Sequence, residues 1–183
     1  MGHRHVGRGF VLGVSLLALL GAGCTPDSTT PPPVTSTSAT PTESAQEREE
    51  RVAYEAAEKS YRDFRAEVER VYARGGANKP TAVMKATAGG QYLKSYQEVS
   101  EAYRDLKHYS KGQLKIAYVH RGGFSSSELI LDVCEDGRSV TTYDRRGKKL
   151  YTDDLRKLQL KARPVDGNWK VWSGTGKESA SCD

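Results

Sequence analysis

The hydrophobic period of this chain changes once, near His108, and that change limits the folds open to it. Before it, apolar side chains recur at steps of three and four. Ala57, Tyr61, Phe64, Val68, Val71 and Tyr72 form one such series; Tyr92, Tyr96, Val99, Tyr103 and Leu106 form another. Those steps keep one stripe on a helix. After it they recur at every second position: Leu114, Ile116, Tyr118; Leu129, Leu131, Val133; Leu158, Leu160, Ala162; Trp169, Val171. Alternation of this kind belongs to antiparallel strands with one wet face. Helices first and strands after define an α+β fold, not a doubly wound sheet. The expected arrangement is N-terminal helices packed on a curved antiparallel sheet of about four strands.

Punctuation residues place the boundaries. Ser44 to Glu47 has capping-box spacing, and Gly75-Gly76 stops the helix that follows. Pro80-Thr81 opens a short helix through about Ala88, broken by Gly89-Gly90 before the third helix. Gly122-Gly123 and Pro164 to Gly167 read as turns. Asp136 to Asp154 is polar and reads as a long loop with a short extra strand near Val140 to Tyr143. No unit recurs at a period of about 20–50 residues, which excludes a solenoid.

Upstream of the folded part the composition differs. Arg4 and Arg8 precede an apolar run from Phe10 to Leu20, small residues follow, and then comes Cys24. Basic, apolar, small, cysteine is the order of a secretion signal. It resembles the bacterial lipobox, in which the cysteine thiol receives a diacylglycerol and becomes the first residue of the mature protein. The apolar run is too short for a spanning helix, which needs roughly 20 residues. Thr25 to Gln46 is rich in Thr, Ser and Pro, holds Pro31-Pro32-Pro33 and has no aromatic residue. Such a segment cannot bury enough apolar surface to offset its ordering entropy. The expected organisation is a signal peptide over 1–23, a disordered tether over 24–46 and an α+β domain over 47–183. The expected place is the extracytoplasmic face of the cell membrane, held through a diacylglyceryl Cys24.

The resemblance extends into the domain. Leu131 to Asp136, the Arg146-Gly147 turn, Asp166 to Val171 and the terminal Ser181-Cys182 are similar to actinobacterial lipoproteins of the nuclear transport factor 2-like fold. That fold is a cone of helices closed on a curved sheet. The resemblance implies a cavity and carries no catalytic residue with it. It leaves open a non-catalytic module that binds an envelope protein or small ligand, and a cavity enzyme of the isomerase, dehydratase or cyclase type.

Charge and cysteine usage narrow the partners. The chain has 28 Lys and Arg against 23 Asp and Glu, and residues 1–23 hold two of the basic residues and no acid. This is not the footprint of a nucleic-acid binder. With Cys24 taken by lipid, Cys134 and Cys182 remain as an even pair in an oxidising compartment, and a bridge between them is expected. Cys134 falls on the opposite strand face from Leu129, Leu131 and Val133, so the bridge belongs on the outer side or edge of the sheet.

Few residues suggest chemistry. No G-x-S-x-G elbow or phosphate-binding loop is present, no metal-ligand spacing occurs, and no cofactor is implied. His108 and His120 read either as bases at a cavity mouth or as solvated residues. Tyr61, Tyr92, Tyr96 and Tyr103 read either as lining of a polar-edged pocket or as core aromatics with hydroxyls at the rim. Arg145, Arg146, Lys148 and Lys149, with Lys157, Lys161, Arg163 and Lys170, read either as a contact for anionic wall polymer or lipid, or as solvated charge.

Overall fold

The computed structural model describes residues 43–183. The signal segment, Cys24 and the tether up to residue 42 lie outside the described residues. Helix α1 (Ala45–Ala73) begins at Ser44, whose hydroxyl accepts from the Glu47 N–H while the Glu47 carboxylate accepts from the Ser44 N–H. Both otherwise unpaired donors are thereby satisfied. At helix α2 (Ala82–Thr87) the Thr81 hydroxyl accepts from the Met84 N–H at 3.2 Å, and α3 (Gly90–Leu106) follows at once. Gly76 sits at φ +84°, where a Cβ would fall 2.0 Å from the Ser100 carbonyl. Only glycine lets the end of α1 lie this close to α3.

Seven strands follow: β1 (Tyr109–Lys111), β2 (Lys115–Phe124), β3 (Leu129–Asp136), β4 (Thr141–Tyr143), β5 (Lys149–Thr152), β6 (Leu155–Val165) and β7 (Asn168–Glu178). They make an antiparallel sheet in the order β2-β3-β6-β7 and a smaller one in the order β1-β4-β5. Asp166 and Gly167, at φ +52° and +76°, form the two-residue loop between β6 and β7. Positive φ at both positions matches the twist of a hairpin.

The core lies between α1 and the larger sheet. Tyr54, Ala57, Tyr61, Phe64, Val68 and Val71 face Leu129, Leu131 and Val133 of β3, Leu160 and Ala162 of β6, and Val171 of β7. Met84 and Tyr92 bring α2 and α3 into the same cluster. The α+β class and the four-strand sheet stand as the hydrophobic periods indicate.

Three expectations need correction. Gly122-Gly123 is no turn: β2 runs through it with a register shift, and the chain reverses at Ser125 to Glu128. The Tyr54 hydroxyl, directed at the Gly122 and Gly123 carbonyls at 2.8 and 2.9 Å, holds this irregular stretch to α1. The long loop contains two strands rather than one, and they pair with β1 into a second sheet. Strands of three or four residues are too short to show a period. Finally, α1 takes in Ala45 and Gln46, two residues before the boundary that composition suggests.

Candidate functional site

A cavity of about 470 Å³ opens between α1, α3 and the strands of both sheets. Val68, Val99, Leu114 and Val140 supply apolar wall, and Tyr72, Tyr96, Tyr103 and Tyr151 supply rings and hydroxyls. Its titratable lining is Arg65, Glu69, Glu135, Asp153, Asp154 and Arg156.

Arg65 and Glu135 are the buried charged residues of the lining. Arg65 follows Phe64 on the buried edge of α1, and Glu135 continues the inward series Leu129, Leu131, Val133 of β3. Their side chains are 10% and 6% exposed, with Arg65 Nε and Glu135 Oε1 2.7 Å apart. The Nε–H does not point along that contact and has no hydrogen-bond partner of good geometry. Arg65 Nη1 donates to the Tyr96 hydroxyl at 2.8 Å, and its guanidinium lies 5.2 Å from the centre of the Tyr96 ring. Tyr61 donates to Glu135 at 2.5 Å. Burial opposes the charge on Arg65, but the surrounding phenol oxygens and Glu135 outweigh it and hold the guanidinium protonated. Burial also pushes the phenols of Tyr61, Tyr92 and Tyr96 up, so they stand as neutral hydroxyls.

The other carboxylates are less matched. Glu69 accepts the Leu114 backbone N–H at 2.8 Å; neither Asp153 nor Asp154 has an ion pair among the described residues. Burial raises the carboxyls of Glu69 and Asp153 above their ordinary range; the Leu114 N–H opposes this at Glu69, and Arg156 and Arg65 oppose it at Asp153. With Arg65 and Glu135 offsetting each other, three carboxylates face Arg156 alone. The cavity is electronegative and aromatic.

The four tyrosines named from sequence divide. Tyr96 and Tyr103 line the cavity; Tyr61 and Tyr92 sit behind it in the core, 0% and 8% exposed. The Tyr103 hydroxyl bonds Thr142 at 2.7 Å and Tyr151 at 3.2 Å, and its ring stacks on Tyr72. His108 packs edge-on against Tyr103, and His120 is exposed on β2 and stacked on Tyr118; neither lines the cavity. Among the described residues no cluster of His, Cys, Asp or Glu is placed to hold a metal.

Cys134 and Cys182 are bridged, with Cα atoms 5.8 Å apart. Cys134 is fully buried yet stands apart from the main core cluster, on the face opposite Val133. The basic residues separate. Lys161 and Arg163 pair with Glu128, Lys157 bonds the Asp183 carbonyl and Lys170 bonds the Lys85 carbonyl. Arg145, Arg146 and Lys148 lie in the turn between β4 and β5, Lys149 opens β5, and the four share none of these partners.

No family model matches the chain, and no curated protein matches it in sequence. Solved structures do resemble it. The intermembrane space region of the chloroplast protein ARC6 is 13% identical with a TM-score of 0.50, covering 67% of this chain and 95% of that one. A candidate dehydratase of the NTF2-like family from Streptomyces avermitilis is 13% identical with a TM-score of 0.45, over 72% of this chain and 99% of that one. An NTF2-like protein with a cystatin-like fold from Novosphingobium aromaticivorans is 6% identical with a TM-score of 0.40, over 76% and 94%. Helices on antiparallel sheet around a cavity define the class. The likenesses concern fold, and no activity follows from them.

Proposed function

We propose that this protein is a lipid-anchored envelope module whose cavity binds a small ligand carrying hydrogen-bond donors or positive charge. The observation that carries the reading is the cavity itself: tyrosine walls, and Glu69 and Asp153 destabilised as anions by burial. A donor or cation placed there restores what desolvation removes. The anchor is the diacylglyceryl Cys24 expected from the sequence.

A second reading is a cavity isomerase, dehydratase or cyclase. It is favoured by one observation, that carboxylates and tyrosine hydroxyls line the same open space. Binding is preferred for two reasons. Glu135 is held by Arg65 and Tyr61, and burial pushes the Tyr103 phenol above its ordinary range, away from proton transfer near neutral pH.

The test is calorimetric titration with arylalkyl amines, which stay protonated through neutral pH, and with arylalkyl carboxylates of the same shape. Amines bind, and binding strengthens as pH rises through the carboxylate range. Glu69→Gln with Asp153→Asn weakens amine binding about tenfold or more. The same pair of changes raises the melting temperature at neutral pH. A carboxyl raised by the fold is protonated in both states at low pH and costs stability only above its unfolded pKa. The gain therefore vanishes in acid. Equal binding of amines and carboxylates overturns the charge preference; no binding by either overturns the cavity reading; turnover of a bound compound establishes the enzyme.

A further inference from the structure

The hairpin of β4 and β5 joins two surface features, one that the cavity does not use and one that borders it. Arg145, Arg146, Lys148 and Lys149 are all exposed, and none has an ion pair among the described residues. The acid beside them is already engaged. Asp144 accepts the backbone N–H groups of Arg146 and Lys148 at 2.8 and 2.9 Å, and those bonds hold its carboxyl below the usual range. With Gly147 at φ +78°, Asp144 builds the turn and leaves the four cations projecting from it.

The second feature is apolar. Leu150 and Tyr151 follow directly and are 40% and 47% exposed. On the neighbouring strands Tyr109 and Tyr143 stack at 5.5 Å, and Lys111 Nζ lies 5.5 and 5.6 Å from their ring centres. Cations, an exposed leucine and tyrosines thus gather on one small sheet. By contrast, Lys161 and Arg163 on the larger sheet are spent on Glu128.

We infer that this hairpin docks on an anionic lipid bilayer. The four cations meet headgroup phosphates and Leu150 enters the interfacial layer, while Tyr151, its hydroxyl held by Tyr103, lies at the boundary between the cavity and the lipid surface. A wall polyanion has use for the cations but none for Leu150. Because Tyr151 also lines the cavity, docking turns that part of the cavity rim toward the lipid surface. The inference does not depend on Cys24, because the hairpin acts on a membrane whether or not a lipid chain holds the protein there.

The experiment uses protein beginning at Thr25, which cannot be lipidated at Cys24 and keeps every described residue with the whole core. Cosedimentation is measured with vesicles of phosphatidylcholine alone and with about one-third phosphatidylglycerol. Binding is expected on the anionic vesicles only and is lost between about 0.05 and 0.5 M salt, as screening shortens the reach of the charges. Arg145, Arg146, Lys148 and Lys149 changed together to Ser lose binding about tenfold or more, while Leu150→Ser loses part of it at low salt. Asp144 and Gly147 are retained, so circular dichroism and melting temperature stay as in the parent. Parent protein that ignores anionic vesicles, a quadruple variant that binds as well as the parent, or sedimentation with isolated wall polymer but not with vesicles overturns the inference.

Discussion

Arg65 and Glu135 place an ion pair where the rest of α1 and β3 bury apolar side chains. Removing one partner of such a pair leaves an uncompensated buried charge and costs about 3–5 kcal/mol, whereas replacing both with apolar groups costs far less. Glu135→Ala should therefore destabilise the fold by about that amount, with the Tyr61 hydroxyl losing its acceptor as well. Arg65→Met combined with Glu135→Leu should cost much less than the two single changes summed. Urea unfolding of the four proteins measures this; additive losses would show that the two residues act separately. Half of this pair was legible in the sequence. The alternation that marks β3 puts Glu135 on the same face as Leu129, Leu131 and Val133, so an inward acid was visible. Its partner was not, because a helix stripe does not say which strand it meets. Asp153 was hidden for another reason, lying in a polar stretch with no period to assign it a face. Tyr96 and Tyr103 differ from Tyr61 and Tyr92 only in how α1 and α3 sit around the cavity, which tyrosine spacing along the chain does not encode.

Among the elements, the long ones follow their own signals and the short ones follow their neighbours. The capping box starts α1 where the residues say, and the strands of the larger sheet match the alternating runs. β4 matches the short strand expected near Val140 to Tyr143, but β1 and β5 exist because each pairs with β4, a tertiary fact with no local trace. The Gly122-Gly123 pair looked like a turn because glycine favours turns; the Tyr54 hydroxyl instead holds it as an irregular stretch of β2. The C-terminal tail is the element most dependent on one bond. Beyond Glu178, Ser179 donates its N–H to the Leu155 carbonyl and its hydroxyl to the Ser181 carbonyl, and the Cys134–Cys182 bridge closes the loop. Cross-linking residues 48 apart in sequence removes about 4 kcal/mol of unfolded-chain entropy. Cys182→Ser should lower the melting temperature markedly and make the tail the first segment to exchange its amide hydrogens. Hydrogen exchange read by mass spectrometry checks both the order and the location; a tail protected as well as in the parent would show that the bridge is dispensable there.

On the scale of the whole molecule, the cavity, the basic hairpin and the proposed anchor make separate claims on the membrane, and one measurement separates them. Among the described residues no helix is long and apolar enough to cross a bilayer. The stretch Phe10 to Leu20 is short of the roughly 20 residues a span requires. A diacylglyceryl thioether at Cys24 supplies two acyl chains, which hold a protein stably where one chain holds it only marginally. The Thr, Ser and Pro segment after it would reach about 25 Å as a flexible coil and about 70 Å as polyproline II. Hairpin contact is electrostatic and disappears in high salt, whereas acyl insertion does not. Cys24→Ala should therefore move the protein from the detergent phase to the aqueous phase when partitioned at about 0.5 M salt, while the parent stays in the detergent. The quadruple Ser change of the hairpin, made with Cys24 intact, should leave partitioning as in the parent. A Cys24→Ala protein that remains in the detergent phase at high salt would mean that another segment inserts, and the lipid-anchor reading would fall while the cavity and the hairpin kept their own tests.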